Sequence, residues 1–307
     1  MAPKSAKLPM SSEPTNAARS ALGLGVLAIV VNITLVLLKI GVGLLGNSYA
    51  LIADGIESVS DIITSLITWA GFQLSLKPAD DDHPFGHGRA ESLAGLFSGI
   101  SLLAAAGVIA YHSIKEILTP HHAPAWFTLP VLIATIVVKE ALSRKVNAAA
   151  SEFGSTALQG DAWHHRADAL TSGAAAVGII IALIGGTGYE PADDWAALVG
   201  CSIIVVNGSK ILRGALHEVL DGHVGSELHA SVEAAALSTP GVENTEKCRI
   251  RKSGTQLFVE IHVRVDPQMT VVESHRISHE VKDRMIGKHP RILDVVVHIE
   301  PAHRRSI

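Results

Sequence analysis

A six-helix membrane domain followed by a small α+β domain is the fold class this sequence predicts, and three observations predict it. Charged residues make up only 18% of the 307 positions, hydrophobic residues reach 48% and mean hydropathy is +0.34. Apolar windows of about 20 residues, enough to cross a hydrocarbon core of roughly 30 Å, recur along the first two thirds of the chain. Beyond about residue 217 the texture changes to short segments of mixed strand and helix period.

Residues 1–18, rich in Ser, Pro and Ala, read as a disordered tail. Lys4, Lys7 and Arg19 then precede an apolar run too long for a signal-peptide core, so a retained signal-anchor helix is expected. The spans fall at about 21–44, 48–74, 92–118, 125–147, 157–185 and 192–213, which sets a transmembrane domain at 19–216. Breaker-rich separators divide them, among them Gly46-Asn47, Thr119-Pro120-His121-His122 and the stretch from Gly185 to Pro191. Lys and Arg mark one side: the tail, the loop after span two (Lys77, Arg89), the loop after span four (Arg144, Lys145) and the end of span six (Lys210, Arg213). The opposite loops carry none, and the last is acidic (Glu190, Asp193, Asp194). Both termini are therefore expected in the cytoplasm. The lack of an Arg-rich leader points to a multi-pass protein of a bacterial-type plasma (inner) membrane.

Residues 217–307 form the predicted cytoplasmic domain. Ser226–Leu237 reads as a helix stopped by Thr239-Pro240-Gly241. Residues 248–252 and 257–265 read as strands, the second alternating Phe258, Glu260 and His262 against Val259, Ile261 and Val263. A helix over 272–287 and a strand over 294–299 complete an αββαβ order, with helices on one face of a sheet. A net charge of −4 indicates neither a nucleic-acid surface nor an acidic tail. Cys201 and Cys248 lie far apart without a C-x-x-C motif and read as packing residues.

Within the membrane domain one pattern occurs twice. Asp54-Gly-Ile-Glu57-Ser-Val-Ser-Asp61-Ile-Ile-Thr64-Ser65 and Asp161-Ala-Trp-His164-His-Arg-Ala-Asp168-Ala-Leu-Thr171-Ser172 both read D-x-x-E/H-x-x-x-D-x-x-T-S. Helical spacing puts the three ionisable side chains of each copy in one stripe, with Glu57/Asp61 and His164/Asp168 as i, i+4 pairs. A charge inside lipid costs roughly 2.5–3.5 kcal/mol on insertion scales, so such stripes need a reason. Three carboxylates and one imidazole suit zinc in a tetrahedral site, or manganese, iron(II) or cobalt in a looser one. Imidazole and carboxylate also exchange metal for protons, and His164 is the natural proton acceptor.

The competing reading has these residues cap helix ends or pair with Arg166 and Lys39. Asp54 and Asp161 suit a supporting or path-lining role, and helix N-capping suits Asp161 nearly as well. His165 rivals His164, standing three residues from Asp168 and four from Asp161. Thr64, Ser65, Thr171 and Ser172 are expected to bond helix backbones or neighbouring helices.

Four motifs, in order, carry a resemblance: Ser48-Tyr-Ala-Leu-Ile-Ala-Asp54, the Glu57/Asp61 pair, Asp80-Asp-Asp-His83-Pro-Phe-Gly-His87-Gly-Arg-Ala-Glu91, and Asp161-Ala-Trp-His164-His-Arg-Ala-Asp168. Together they resemble the cation diffusion facilitator family over essentially all the chain beyond the tail. The resemblance implies a homodimeric secondary active transporter that moves Zn²⁺ or similar ions out of the cytoplasm against inward proton flow. It also implies a ferredoxin- or metallochaperone-like cytoplasmic domain. By carry-over the transport site is Glu57, Asp61, His164 and Asp168. Glu57 is a departure, since zinc-specialised branches place His or Asp there, which keeps Fe²⁺, Mn²⁺, Co²⁺, Ni²⁺ and Cd²⁺ open. Asp80, His83 and His87 match an interfacial metal site, against a plain solvated loop. His262, His275, His298 and Glu300 match regulatory metal positions, against a solvated sheet face. Glu246 departs from the family where some members supply a further His. His121 and His122 lie in an outer loop as lesser candidates for metal handling.

No resident cofactor is expected; the divalent ion is substrate and candidate regulator. Two other functions compete. A membrane-embedded metalloenzyme would activate water at the same ligands, but the chain has no H-E-x-x-H motif and no enzyme is expected. A non-transporting metal-sensing partner subunit would keep the fold, and the intact site residues argue against it.

Overall fold

A computed structural model describes residues 16–45, 49–118, 129–185 and 192–302. The chain divides into two compact units, Met1–Ala215 and Leu216–Ile307.

The first unit is helical: α1 (Asn16–Leu45), α2 (Tyr49–Ser75), α3 (Arg89–Leu118), α4 (Leu129–Phe153), α5 (Thr156–Gly185) and most of α6 (Ala192–Val219). All six have the length to span a bilayer. Three described stretches are also apolar enough to cross alone: Ala21–Val42, Arg89–Leu118 and Ala197–Val219. These belong to α1, α3 and α6, while Asp61, Lys139 and Asp161 are buried on α2, α4 and α5. Two expectations are corrected. Helix α4 continues to Phe153, so Arg144 and Lys145 lie on the helix rather than in a loop after it. Helix α5 begins at Thr156, which puts Asp161 inside the second turn, where it cannot serve as N-cap. That end is capped instead by Ser155 Oγ, which accepts from Leu158 N at 3.1 Å, and by Glu91 Oε1, which accepts from Ala157 N at 3.2 Å.

Small residues let these helices approach. A Cβ added at Gly160 on α5 would stand 2.6 Å from Ser98 Cβ on α3, so the α3–α5 seam depends on that glycine. Ser143 Oγ on α4 donates to Ala162 O on α5 at 2.7 Å, locking a second seam two residues before His164. A small apolar cluster of Phe72, Leu142, Val146 and Leu158 packs α2, α4 and α5 together at the same end.

In the second unit α7 (Ser226–Leu237) and α8 (Val271–Lys288) pack on one three-stranded sheet, β1 (Asn244–Ser253), β2 (Gln256–Val265) and β3 (Ile292–Pro301). Strand β2 is central, antiparallel to β1 and parallel to β3. Its odd positions Leu257, Val259, Ile261, Val263 and Val265 are buried beneath Val232, Ile277, Val281 and Met285 of the two helices. The alternation seen in the sequence therefore faces the core as expected, and each such side chain contributes roughly 1.5–3 kcal/mol by leaving water. The even positions, His262 among them, line the other face. Thr270 caps α8 by accepting from Glu273 N at 3.3 Å. Glu218 Oε2 takes a 2.7 Å bond from Lys252, and its Oε1 a 3.1 Å bond from Gly254 N, fixing the β1–β2 turn. Cys201 and Cys248 are both free thiols, with Cys201 buried. Burial and the nearby Glu233 push the Cys248 thiol up to about 11, so it packs rather than reacts.

Candidate metal centre

Helices α2 and α5 each contribute the second half of their stripe to one buried cluster. Asp61, His164 and Asp168 each offer a ligand atom within 4.8 Å of the others. Asp61 Oδ1 lies 2.9 Å from His164 Nε2, and Asp168 completes the triangle one turn further along α5. Among the described residues His164 Nδ1 has no hydrogen-bond partner, so the ring's only polar contact is toward the cluster. Asp168 is the most open of the three, its side chain 23% exposed against 12% for Asp61 and 7% for His164.

The fourth member of the expected set, Glu57, lies on α2, but its side chain is outside the described residues, as is that of Asp54. The residue that sequence reasoning missed is Lys139 of α4. Its Nζ donates to Asp61 Oδ2 at 3.0 Å and to Asp168 Oδ2 at 2.6 Å, and the residue is 2% exposed. The signal was present in the sequence as a lysine inside the apolar run of span four. The two cations expected from the sequence have partners of their own among the described residues. Arg166 turns to Glu140 Oε1 at 3.3 Å, which also takes Arg144 at 2.7 Å, and Lys39 Nζ donates to Ser58 Oγ at 3.0 Å.

His165 faces away from the cluster. It is fully buried, with Nε2 3.4 Å from Asp161 Oδ2. Asp161 Oδ1 accepts from Ser65 Oγ at 3.1 Å, and Ser65 Oγ accepts from Asn32 Nδ2 at 3.1 Å. Asp161 thus heads a polar chain joining α5, α2 and α1, beside the cluster of Asp61, His164 and Asp168 rather than within it. Ser65 bonds across helices, and Thr171 Oγ1 donates to Asp168 O at 3.1 Å within its own helix.

Two further groups gather. In the α2–α3 loop, Asp80, His83 and His87 bring ligand atoms together. Asp80 Oδ1 accepts from His83 N at 2.7 Å and stands 3.1 Å from His83 Nδ1, while Oδ2 is 3.4 Å from His87 Nε2. The turn closes through Gly86, whose φ of +77° a side chain would resist. The backbone bond from His83, then its ring and that of His87, hold the Asp80 carboxyl below its ordinary value. In the second unit His262, His298 and Glu300 cluster on the outer sheet face. His262 Nδ1 is 2.7 Å from Glu300 Oε1, which keeps that carboxyl below its usual range. His275 is the exception to the expected set: it lies on α8 against His279, with ring centroids 4.6 Å apart, and does not join His262, His298 and Glu300. Its strand-facing partners sit on the sheet face opposite the helices, which separates them within one chain. His121 and His122 lie outside the described residues.

A helical membrane unit holding an acid–imidazole cluster in its interior, followed by an α+β unit, defines an integral membrane protein built to handle cations. The chain belongs to the cation diffusion facilitator, or cation efflux, family: the cation efflux transmembrane domain matches residues 25–220, and the cytoplasmic domain of cation efflux proteins matches residues 224–302. Metal tolerance protein C1 of Arabidopsis thaliana is 30% identical over 292 residues, covering 90% of this chain and 61% of that longer protein. Magnetosome protein MamB of Paramagnetospirillum magneticum is 30% identical over 90% of this chain and 92% of its own. Manganese efflux system protein MneP of Bacillus subtilis is 27% identical over 95% of this chain and 99% of its own. Among solved structures, a MamM C-terminal domain aligns at 28% identity over 25% of this chain and 96% of its own, with a TM-score of 0.25. Members of the family are transporters rather than enzymes, and this chain is a divalent metal cation efflux transporter.

Proposed function

We propose that the chain exports its cation through the cluster of Asp61, His164 and Asp168, with Glu57 as fourth ligand, in exchange for protons. The observation that carries this reading is the convergence of three ligand atoms from α2 and α5, within 4.8 Å, inside a membrane domain. Carboxylates and imidazole bind a divalent ion when deprotonated and release it when protonated, so one site serves both cargo and coupling ion. Alternating access opens this site to the cytoplasm and then to the far side. Three oxygen donors and one nitrogen suit Mn²⁺ or Fe²⁺ as well as Zn²⁺, Co²⁺ or Cd²⁺, and one relative is named for manganese efflux. The working unit is a homodimer in the plasma membrane with both termini in the cytoplasm. Metal bound at the loop group (Asp80, His83, His87) and the sheet group (His262, His298, Glu300) regulates it.

Metal-driven proton movement in proteoliposomes tests the reading. Asp61→Ala and Asp168→Ala should each lower flux to the level of empty vesicles while the protein stays folded. Wild-type flux in both variants removes the proposed site.

A further inference from the structure

Lys139 occupies the position that a cation held by both transport-site carboxylates would take. Its Nζ is 3.0 Å from Asp61 Oδ2 and 2.6 Å from Asp168 Oδ2. The carboxylate beside it on α4 is already committed, because Glu140 is bridged by Arg144 and Arg166. Asp61 and Asp168 are thus the counter-ions of Lys139.

We propose that Lys139 is a tethered competitor for the transported cation: its ammonium pairs with Asp61 and Asp168, and a divalent ion binds by displacing it. The proposal rests on the reading of that cluster as the transport site. A divalent ion drawing on the same two carboxylates repels the ammonium at contact distance, so binding of cargo and binding of the ammonium compete. A lysine is suited to this exchange, being a compact charge on a flexible stem rather than a rigid fork. When cargo leaves, the returning ammonium spares two carboxylates from facing a low-dielectric interior unpaired.

Two consequences follow from the charge count. The apparent affinity for metal is reduced by the fraction of protein in which the ammonium holds the carboxylates, which favours release on the far side. A monovalent ion brings no more charge than the ammonium it must expel, whereas a divalent ion brings twice as much. Lys139 therefore screens cargo by charge, before donor chemistry discriminates among divalent metals.

The test uses the full chain in detergent, titrated with Zn²⁺ or Mn²⁺ alone, with the Asp168→Asn isotherm subtracted as the contribution of all other sites. Lys139→Gln should tighten binding at the remaining site by about tenfold or more, within the usual range of coupling between two ligands. In proteoliposomes its half-saturating metal concentration and its maximal rate should both fall, since release becomes slow. Gln leaves the carboxylates unpaired, so its Tm without metal should drop and its rise on adding metal should exceed that of wild type. Lys139→Arg keeps the charge and should keep weak binding. Unchanged or weaker binding in Lys139→Gln overturns the proposal, as does equal tightening by Lys139→Arg. An Asp168→Asn isotherm identical to wild type instead overturns the site on which the proposal rests.

Discussion

Asp61 answers to two helices at once, offering one oxygen to His164 of α5 and the other to Lys139 of α4. On the proposed reading, a cation that draws on both oxygens of Asp61 competes with those two partners, so the ligand set would act as an exchanger of ions rather than a fixed cage. On the same proposed reading, selectivity rests on Glu57, one turn before Asp61. Replacing Glu57 by His exchanges an oxygen donor for nitrogen and should move preference from Mn²⁺ and Fe²⁺ toward Zn²⁺, while Glu57→Asp should leave the order unchanged. Competition uptake across Zn²⁺, Fe²⁺, Mn²⁺, Co²⁺ and Cd²⁺ measures this, and an unmoved order in Glu57→His excludes Glu57 as a selectivity ligand. At this scale the sequence was informative where spacing decides and mute where direction decides. The i, i+4 rule found Asp61, His164 and Asp168, but it left His164 and His165 as rivals. Neighbouring side chains on a helix point about 100° apart, and only the packing of α5 against α2 and α3 says which of the two faces Asp61. Lys139 escaped because no repeat marks it. Its signal was energetic, a charge set in an apolar run, and its partners lie 78 and 29 residues away in sequence.

Helices α2, α4 and α5 form the working triad of elements, and α3 is the surface against which α5 is set. Gly160 is one turn before His164, and the space a Cβ would need there is filled by Ser98. Gly160→Val should push α5 from α3, lower stability by about 1–3 kcal/mol as overpacking does, and cut flux by displacing His164 and Asp168. Thermal unfolding and proteoliposome flux check both effects, and Ser98→Gly in the same chain should recover part of each. Flux at wild-type level in Gly160→Val would show that the seam does not set the site. The αββαβ elements were readable because alternation along β2 has a single cause, burial of one face. Helix ends were less readable: α4 runs on through Arg144, Lys145 and Glu152 because charged side chains can leave an aqueous helix end without breaking it. His275 was expected on the second helix and lies there, on α8, but the sequence did not show its separation from His262, His298 and Glu300 within one chain. The sheet hides α8 from the outer face, and pattern alone does not say which side of a sheet a helix takes.

At the scale of the whole molecule, the six spans are not equal. Among the described residues, stretches of α1, α3 and α6 are apolar enough to cross alone, though α1 and α3 bury Lys39 and Glu91, while α2, α4 and α5 bring in Asp61, Lys139, Asp161 and Asp168. During synthesis the helices therefore reach the translocon in a telling order. An anchor that partitions unaided comes first, then α2; a second anchor comes next, then α4 and α5; a third closes the series. Fused one at a time to a soluble reporter, α1, α3 and α6 should resist alkaline extraction from membranes, and α4 should be extracted because its lysine has no carboxylate to meet. Firm retention of α4 alone would contradict this. The ion pairs of Lys139 thus have an earlier task than any turn of the transport cycle: they make admission of the charged helices to the bilayer a collective act, completed only when α2, α4 and α5 have found one another.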